Sequence, residues 1–369
     1  MRFDTELEVQ LSNLKYNIQH LRDDFLRHNQ IIFMVKANAY GHGLSEIAAY
    51  AHTECGINNF GVATLAEAIH LRNSFPKMNF SLWVFSEINM QDKELSRAYN
   101  ELNIYPVIGR FQDLKTLLAD HAEVPIVLKF NTGMNRLGID IDRVDDVIAI
   151  LKKNKINQIH HLMTHFSSSY IKLKHNDRTH KQYEAFCEIK DKFAKAGIGI
   201  SGTSVSNSGA IEQKFGLEES HVRPGLMLYG PRSLANGPWM GKIISSLRSS
   251  VIRIREIKRG TPVGYGGHIC HADGHIVYLP IGYGDGLLTY YSGLEIKHKE
   301  FSGKFIGRVN MDIAQIYFEK LPTGLDQGSV LSVWDETQGS IDRIVGHTKT
   351  IPYQLFTSIT SRVSRRYYS

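Results

Sequence analysis

The stretch Val35-Lys36-Ala37-Asn38-Ala39-Tyr40-Gly41-His42-Gly43 decides the fold. The apolar run Ile31-Ile32-Phe33-Met34-Val35 leads into it and reads as a buried parallel strand. A lysine directly after such a run is costly unless its amine is used, because a buried unpaired ammonium is poorly solvated. Gly41 and Gly43 allow a sharp turn or a close approach to a ligand. Ser45 reads as the cap of a helix through Glu46-Ile47-Ala48-Ala49-Tyr50. The order is therefore strand, lysine, glycine loop, helix. In a parallel α/β barrel, catalytic groups occupy that position at the carboxyl ends of the strands. On spacing alone, a lysine that lays its stem along apolar surface and keeps its charge in water fits equally well.

The same alternation continues on both sides. Leu11, Leu14, Ile18 and Leu21 lie at helical spacing, with Ser12 near the start. Phe60-Gly61-Val62-Ala63 precedes Thr64-Leu65-Ala66-Glu67, a capping-box pattern that opens a helix. Ser81 to Phe85, Tyr105 to Ile108, Pro125 to Phe130 and Ile159 to His165 read as strands. Phe111 to Leu118, Val144 to Leu151 and a segment lined by Tyr183, Phe186 and Phe193 read as helices between them or after them, the last ending at Gly197. Repeated units of this size predict a parallel barrel or a doubly wound sheet over residues 1–240.

The pattern changes at about Gly241. Val251 to Ile257 alternates like a half-buried strand, and further strands read at Ile276 to Leu279, Ile313 to Phe318 and Ser329 to Trp334. Helical periodicity is absent until Gln354 onward. Residues 241–369 therefore read as a second, mostly β domain. No repeat, low-complexity tract or flexible linker separates the two, which predicts close packing.

Composition narrows the class. A chain of 369 residues with 42% hydrophobic and 22% charged residues is an ordinary globular protein of about two domains. The net charge of +6 is spread among Asp and Glu, so nucleic-acid binding is not expected. Cys55, Cys187 and Cys270 are far apart and odd in number, which fits a reducing compartment and gives no metal-ligand spacing. The first residues carry acid where a secretory signal needs an apolar core, and no run has the length of a membrane span. The expectation is a cytoplasmic protein with no membrane or metal.

Several segments together resemble one family. Val35 to Gly43 is similar to the signature around the pyridoxal phosphate lysine of alanine racemases. So are Lys129 through Thr132-Gly133-Met134-Asn135-Arg136-Leu137-Gly138, Thr164-His165-Phe166, Asn207-Ser208 and Val222-Arg223-Pro224-Gly225-Leu226-Met227-Leu228-Tyr229-Gly230. Gly264-Tyr265-Gly266, Gly282-Tyr283-Gly284-Asp285-Gly286, Met311-Asp312 and Tyr353 with the Arg362 to Arg365 tail follow in the family's order. Each tripeptide alone is weak; jointly they are specific. The resemblance implies an N-terminal (β/α)8 TIM-type barrel, a C-terminal mostly β domain, a head-to-tail homodimer with shared active sites, and alanine as substrate.

The resemblance also implies roles. Lys36 would hold pyridoxal 5'-phosphate through its amine and act as one catalytic base. Tyr265, contributed by the other subunit, would be the second base, with His165 and Arg136 near its phenol. Tyr40, Asn207, Ser208, Tyr353 and the amides of Gly225 and Leu226 would bind the cofactor. Arg223 would face the pyridine nitrogen; because arginine keeps its proton, that nitrogen would stay an acceptor. Arg136 and Met311 would receive the substrate carboxylate, the planar guanidinium suiting two carboxylate oxygens. Lys129 would be a candidate for carbamylation, and Tyr283 and Asp312 would narrow the entryway. A supply of D-alanine for the cell wall is the implied role.

The chain departs from the family pattern at Asn131, Thr289, Asn310 and Ser364, none of them a proposed catalytic group. Three alternatives remain beside alanine racemisation. A racemase of serine or another small amino acid would need only a wider pocket. A fold-related decarboxylase would place an acid where Arg223 stands. A non-enzymatic pyridoxal phosphate-binding barrel would lack the domain that carries Tyr265.

Overall fold

The computed structural model describes residues 4–369 apart from Glu87, Asn89, His121 and Ala122. Eight parallel strands close into a barrel: Gln30–Met34, Asn59–Val62, Ser81–Val84, Ile104–Ile108, Val127–Asn131, Gln158–Met163, Gly199–Asn207 and His221–Arg223. Closure comes from Val222 pairing with Ile31, so the last strand returns to the first. Strands in such a barrel are covered on both faces, which is why they read as continuous apolar runs. One face packs under the outer helices. On the other, Ile32, Trp83, Val107, Val127 and Met163, from five different strands, form a separate buried cluster. Filled layers of this kind make the barrel a packed core rather than a pore.

The second unit is built mainly of antiparallel strands. Arg253–Ile257, Gly274–Leu279, Ala314–Phe318, Phe301–Phe305 and Glu295–His298 form one sheet in that spatial order. A second sheet runs Val330–Trp334, Ser245–Ser250, Thr5–Gln10, Ser364–Tyr368. It takes in the chain's first strand and its last, paired in parallel with Leu7 opposite Arg365. A short ribbon, Pro262–Val263 with His268–Ile269, carries Tyr265 at its tip.

Local structure departs from expectation at several places, three of them informative. The stretch Val251 to Ile257 is not one strand. Val251 and Ile252 are the crossing between two sheets, their amides held by the Ser329 and Tyr278 carbonyls. Helix Gln338–Thr348 was not expected, because Ile341 and Ile344 are its only buried large apolar residues and give little periodicity. The helix after the glycine loop begins at Leu44, not after Ser45; Gly43 is its cap residue, and the Ser45 hydroxyl lies 3.1 Å from His70 Nε2. The capping box at Thr64 and Glu67 is present as read. Among the described residues, no helix is long and apolar enough to cross a membrane.

Candidate active site

Lys36 stands just past the carboxyl end of strand Gln30–Met34, and the backbone after it is unusual. Ala37, Asn38, Ala39 and Tyr40 all lie in the left-handed region, with φ between 51° and 54°. For residues with a Cβ that conformation costs roughly 1–2 kcal/mol each. It persists because the surroundings over-determine it. The Ala37 amide donates to Glu67 Oε1 (2.6 Å), the Leu44 amide to Asn38 Oδ1 (2.9 Å), and the Gly43 amide to the Asn38 carbonyl (3.0 Å). From the second domain, Arg365 Nε donates to the Gly41 carbonyl (2.8 Å) and the Tyr367 hydroxyl to the His42 carbonyl (3.0 Å). Buried His42 reaches Ser245 Oγ through Nε2 at 2.9 Å.

The turn opens onto a cavity of about 320 Å³ at the carboxyl ends of the barrel strands. Met34, Lys36, Tyr40, Phe85, Ser86, Lys129, Arg136, His165, Asn207, Ser208, Arg223, Gly225 and Tyr353 line it. The structure thus gathers Lys36, Tyr40, Lys129, Arg136, His165, Asn207, Ser208, Arg223, Gly225 and Tyr353, as expected from the sequence. Leu226 is buried beside them at the start of a short 3-10 helix. Met34, Phe85 and Ser86 were not expected; they end two apolar strands and carry no polar motif that would mark them. Tyr265, Tyr283, Met311 and Asp312 do not line this cavity. Tyr265 is 72% exposed on its ribbon, Met311 and Tyr283 are exposed, and Asp312 pairs with Arg362 Nη2 at 2.8 Å.

The lining contains four basic side chains, Lys36, Lys129, Arg136 and Arg223, and no acidic one. Burial acts on Lys36, Lys129 and Arg223, and neighbouring cations add to it at the two lysines. Burial, then the charges of Arg223, Arg136 and Lys36, bring the Lys129 amine down to about 7. Burial and then Arg136 lower Lys36, while Glu67 opposes them. Burial and the surrounding cations hold His165 neutral. Burial lowers Arg223 only to about 9, so it remains a cation at neutral pH. Its guanidinium is fixed by donating to Ser204 Oγ, to the Thr164 carbonyl and to the Val205 carbonyl (3.3 Å).

The same lining carries a cluster of hydroxyls and amides around Ser208 and Gly225. Asn207 caps helix Ser208–Glu212 through the Ala210 amide (3.2 Å), and its Nδ2 donates to the Phe166 carbonyl (3.1 Å). Ser208 Oγ accepts from the Gly225 amide at 3.0 Å and from the Met227 amide at 3.4 Å. A Cβ at residue 225 would fall 2.3 Å from the Tyr40 hydroxyl, so only glycine lets this backbone meet that phenol. Tyr40 stacks on Tyr229 at 4.6 Å and leans on Tyr353 at 5.7 Å. Hydroxyls and amides converging without a side chain between them are a donor set for a phosphate.

The loop that presents Arg136 is organised by Asn131. Its Oδ1 accepts from the Gly133 and Asn135 amides (3.2 and 2.9 Å), while its Nδ2 donates to Asn135 Oδ1 and to Asp140 Oδ1 (3.1 and 2.9 Å). The amide suits this position, because its nitrogen can donate to Asp140, where a carboxylate would meet like charge.

A parallel barrel with a lysine on a strained turn at the carboxyl ends of its strands, beside an acid-free cationic cavity, is a barrel enzyme that takes an anionic ligand. Residues 9–233 match the model of the alanine racemase N-terminal domain, and residues 244–367 that of the C-terminal domain. An alanine racemase of Halothermothrix orenii is 30% identical, over 98% of this chain and 96% of its own. The alanine racemase structure from Acinetobacter baumannii superposes with a TM-score of 0.85 at 26% identity, each chain covered fully. That of Bartonella henselae, described with covalently bound pyridoxal phosphate, gives 0.87 at 23% identity over 99% of both chains. This chain belongs to the alanine racemase family.

Proposed function

We propose that the protein interconverts L- and D-alanine, with pyridoxal 5'-phosphate held in the cavity described above. The observation that carries this is the pairing of an acid-free cluster of four cations with a phosphate cradle around one strand-end lysine. When bound, the cofactor supplies delocalisation of the negative charge left as the α-proton departs. Lys36 would hold the cofactor through its amine, a role that burial beside Arg136 favours by lowering the amine's proton affinity. Ser208, Tyr40, Tyr353 and the Gly225 and Leu226 amides hold its phosphate, with Asn207 fixing the helix start. Arg223, a fixed cation in the lining, would face its ring nitrogen and would leave that nitrogen an acceptor.

The protein's remaining groups handle the substrate. Arg136 receives the carboxylate, and the exposed Met311 of a second copy meets the same group. Lys36 holds or returns the proton on one face of the α-carbon. The phenol of the partner's Tyr265 serves the other face, near His165 and Arg136. Exposure of Tyr265 and Met311 on a single chain supports a homodimer in which each copy completes the other's site. Lys129, with an amine near 7, has enough neutral form at physiological pH to react with carbon dioxide. The resulting carbamate would offset the charge of Arg136 beside it. Tyr283 and Asp312, the latter tied to Arg362, line the entryway. The physiological role is supply of D-alanine for peptidoglycan in the cytoplasm.

The test is racemisation of L-alanine beside L-serine, followed by circular dichroism, with the protein's visible absorbance recorded. Lys36→Ala should lose both the absorbance of the lysine-bound cofactor and nearly all turnover. A yellow, fully active Lys36→Ala protein refutes the assignment, and faster turnover of serine than alanine refutes the substrate.

A further inference from the structure

Glu67 lies outside the cavity lining and belongs to no motif that marked the site. On sequence it is only half of a helix capping box. In the structure its carboxylate does more than cap. Oε2 accepts from the Ala63 amide (2.8 Å) and the Thr64 amide (3.3 Å) at the end of strand Asn59–Val62. Oε1 reaches across to the neighbouring strand end and accepts from the Ala37 amide at 2.6 Å, the residue after Lys36. One side chain thus joins two adjacent strand ends of the barrel.

We infer that Glu67 is the positioning residue for Lys36: its carboxylate holds the left-handed turn Ala37–Tyr40 in place, and that turn aims the lysine into the cavity. This rests on the reading of Lys36 as the cofactor lysine. Ala37 opens a run of four left-handed residues, a conformation that its own side chains disfavour. Asn38, Arg365 and Tyr367 fix the later part of the turn, from residue 38 onward. At its first residue, next to the lysine, the amide is held by the Glu67 carboxylate, while the carbonyl accepts from the Gly41 amide within the turn (2.9 Å). A bond from an amide to an ionised oxygen is about twice as strong as one between neutral groups, which suits a segment under strain. The same carboxylate favours the protonated amine of Lys36, against Arg136 on the other side.

Capping and positioning can be separated. Thr64→Ala removes the hydroxyl that accepts from the Glu67 amide (3.2 Å) but leaves the carboxylate on Ala37. Glu67→Gln keeps the size and one acceptor, yet its amide nitrogen would then face either the Ala37 amide or the Ala63 and Thr64 amides, donor against donor. Glu67→Ala removes both contacts. Amide hydrogen exchange over residues 36–43 is followed in the cofactor-free dimer, and kcat and KM for alanine in the loaded one. Exchange at Ala37 should rise by about 10-fold or more in Glu67→Ala, the size of one lost charge-assisted bond, and by less in Glu67→Gln, which keeps one acceptor. In Thr64→Ala the rise should be confined to residues 64–68. In the loaded enzyme, kcat should fall by at least about 10-fold in Glu67→Ala while KM changes less than about threefold, the signature of a misaimed group rather than lost substrate binding. Wild-type protection of Ala37 in Glu67→Ala, or an equal loss of kcat in Thr64→Ala, overturns the inference. Neither result bears on whether Lys36 carries the cofactor, which Lys36→Ala decides.

Discussion

Gly225→Ala gives the sharpest test of the phosphate cradle. The added Cβ falls 2.3 Å from the Tyr40 hydroxyl, 3.0 Å from its Cζ and 3.5 Å from Met34 Cβ. Van der Waals contact needs roughly 3.5 Å, so the hydroxyl must retreat by about 1 Å. Tyr40 has little freedom to do so, because its ring is buried against Tyr229 at 4.6 Å. Overpacking of this kind costs about 1–3 kcal/mol. The φ of residue 225 is −126°, so alanine adds no strain of the left-handed sort, although the ψ of −94° lies outside the helical and extended wells and adds to the clash. If the strain is released only when the cradle opens, affinity for pyridoxal phosphate falls by roughly 10–100-fold, at 1.4 kcal/mol per decade. Titration of the cofactor-free protein, read by visible absorbance, measures this. Pyridoxal, which lacks the phosphate, is the control and should bind within about threefold of its affinity for the parent protein. In a Tyr40→Phe background the clash loses its closest atom, so the penalty of the added methyl should shrink, a coupling that a double-mutant cycle reads directly. Unchanged affinity for pyridoxal phosphate in Gly225→Ala, or an equal loss for pyridoxal, would refute the cradle.

Two further outcomes are expected. Mixed dimers of Lys36→Ala and Tyr265→Phe subunits should regain activity over either parent, because one of the two sites then carries both bases; a general base is worth about 10²–10⁴-fold. No recovery after confirmed subunit exchange counts against a shared site. Acid should weaken the fold through His42, whose burial lowers it from 6.5 to about 4. Its folded value lies below its unfolded one, so the stabilisation of about 3 kcal/mol is complete above pH ~6.5 and is lost as pH falls through ~4. Urea midpoints at pH 7 and pH 4 should therefore lie closer together in His42→Gln than in the parent protein, and an identical spacing sinks this account.

The barrel was legible because its strands are buried on both faces and so carry unbroken apolar runs, as at Ile31 to Val35 and Pro125 to Phe130. Lys36 stood out because it follows such a run. The second domain was less legible. Its strands are short, and Val251 and Ile252 form a crossing whose apolar side chains look like strand. What the sequence could not convey at the site were contacts between distant segments. The clash that requires Gly225 is with Tyr40, nearly two hundred positions earlier. The left-handed turn has no glycine in its first four residues, so nothing in Ala37-Asn38-Ala39-Tyr40 announces it. Glu67 looked like a local cap because its second oxygen acts on another strand.

The electrostatics of the cavity and the construction of the turn share one logic. Four cations gathered without a carboxylate among them repel one another, and burial adds to the cost of the charges on Lys36, Lys129 and Arg223. The protein meets that cost in two ways. Lys129 and Lys36 are pushed toward neutrality, while Arg223 is held charged by three acceptors. A ligand with a phosphate and a substrate with a carboxylate bring the missing negative charge, so binding both relieves the repulsion that folding left in place. The site is thus stabilised by what it binds, and linkage makes the loaded protein the more stable form. The same reasoning explains why the lysine turn is anchored from outside the cavity. A carboxylate inside would neutralise the field that attracts the ligand, so Glu67 acts on the backbone from behind, and Arg365 and Tyr367 do so from the second domain.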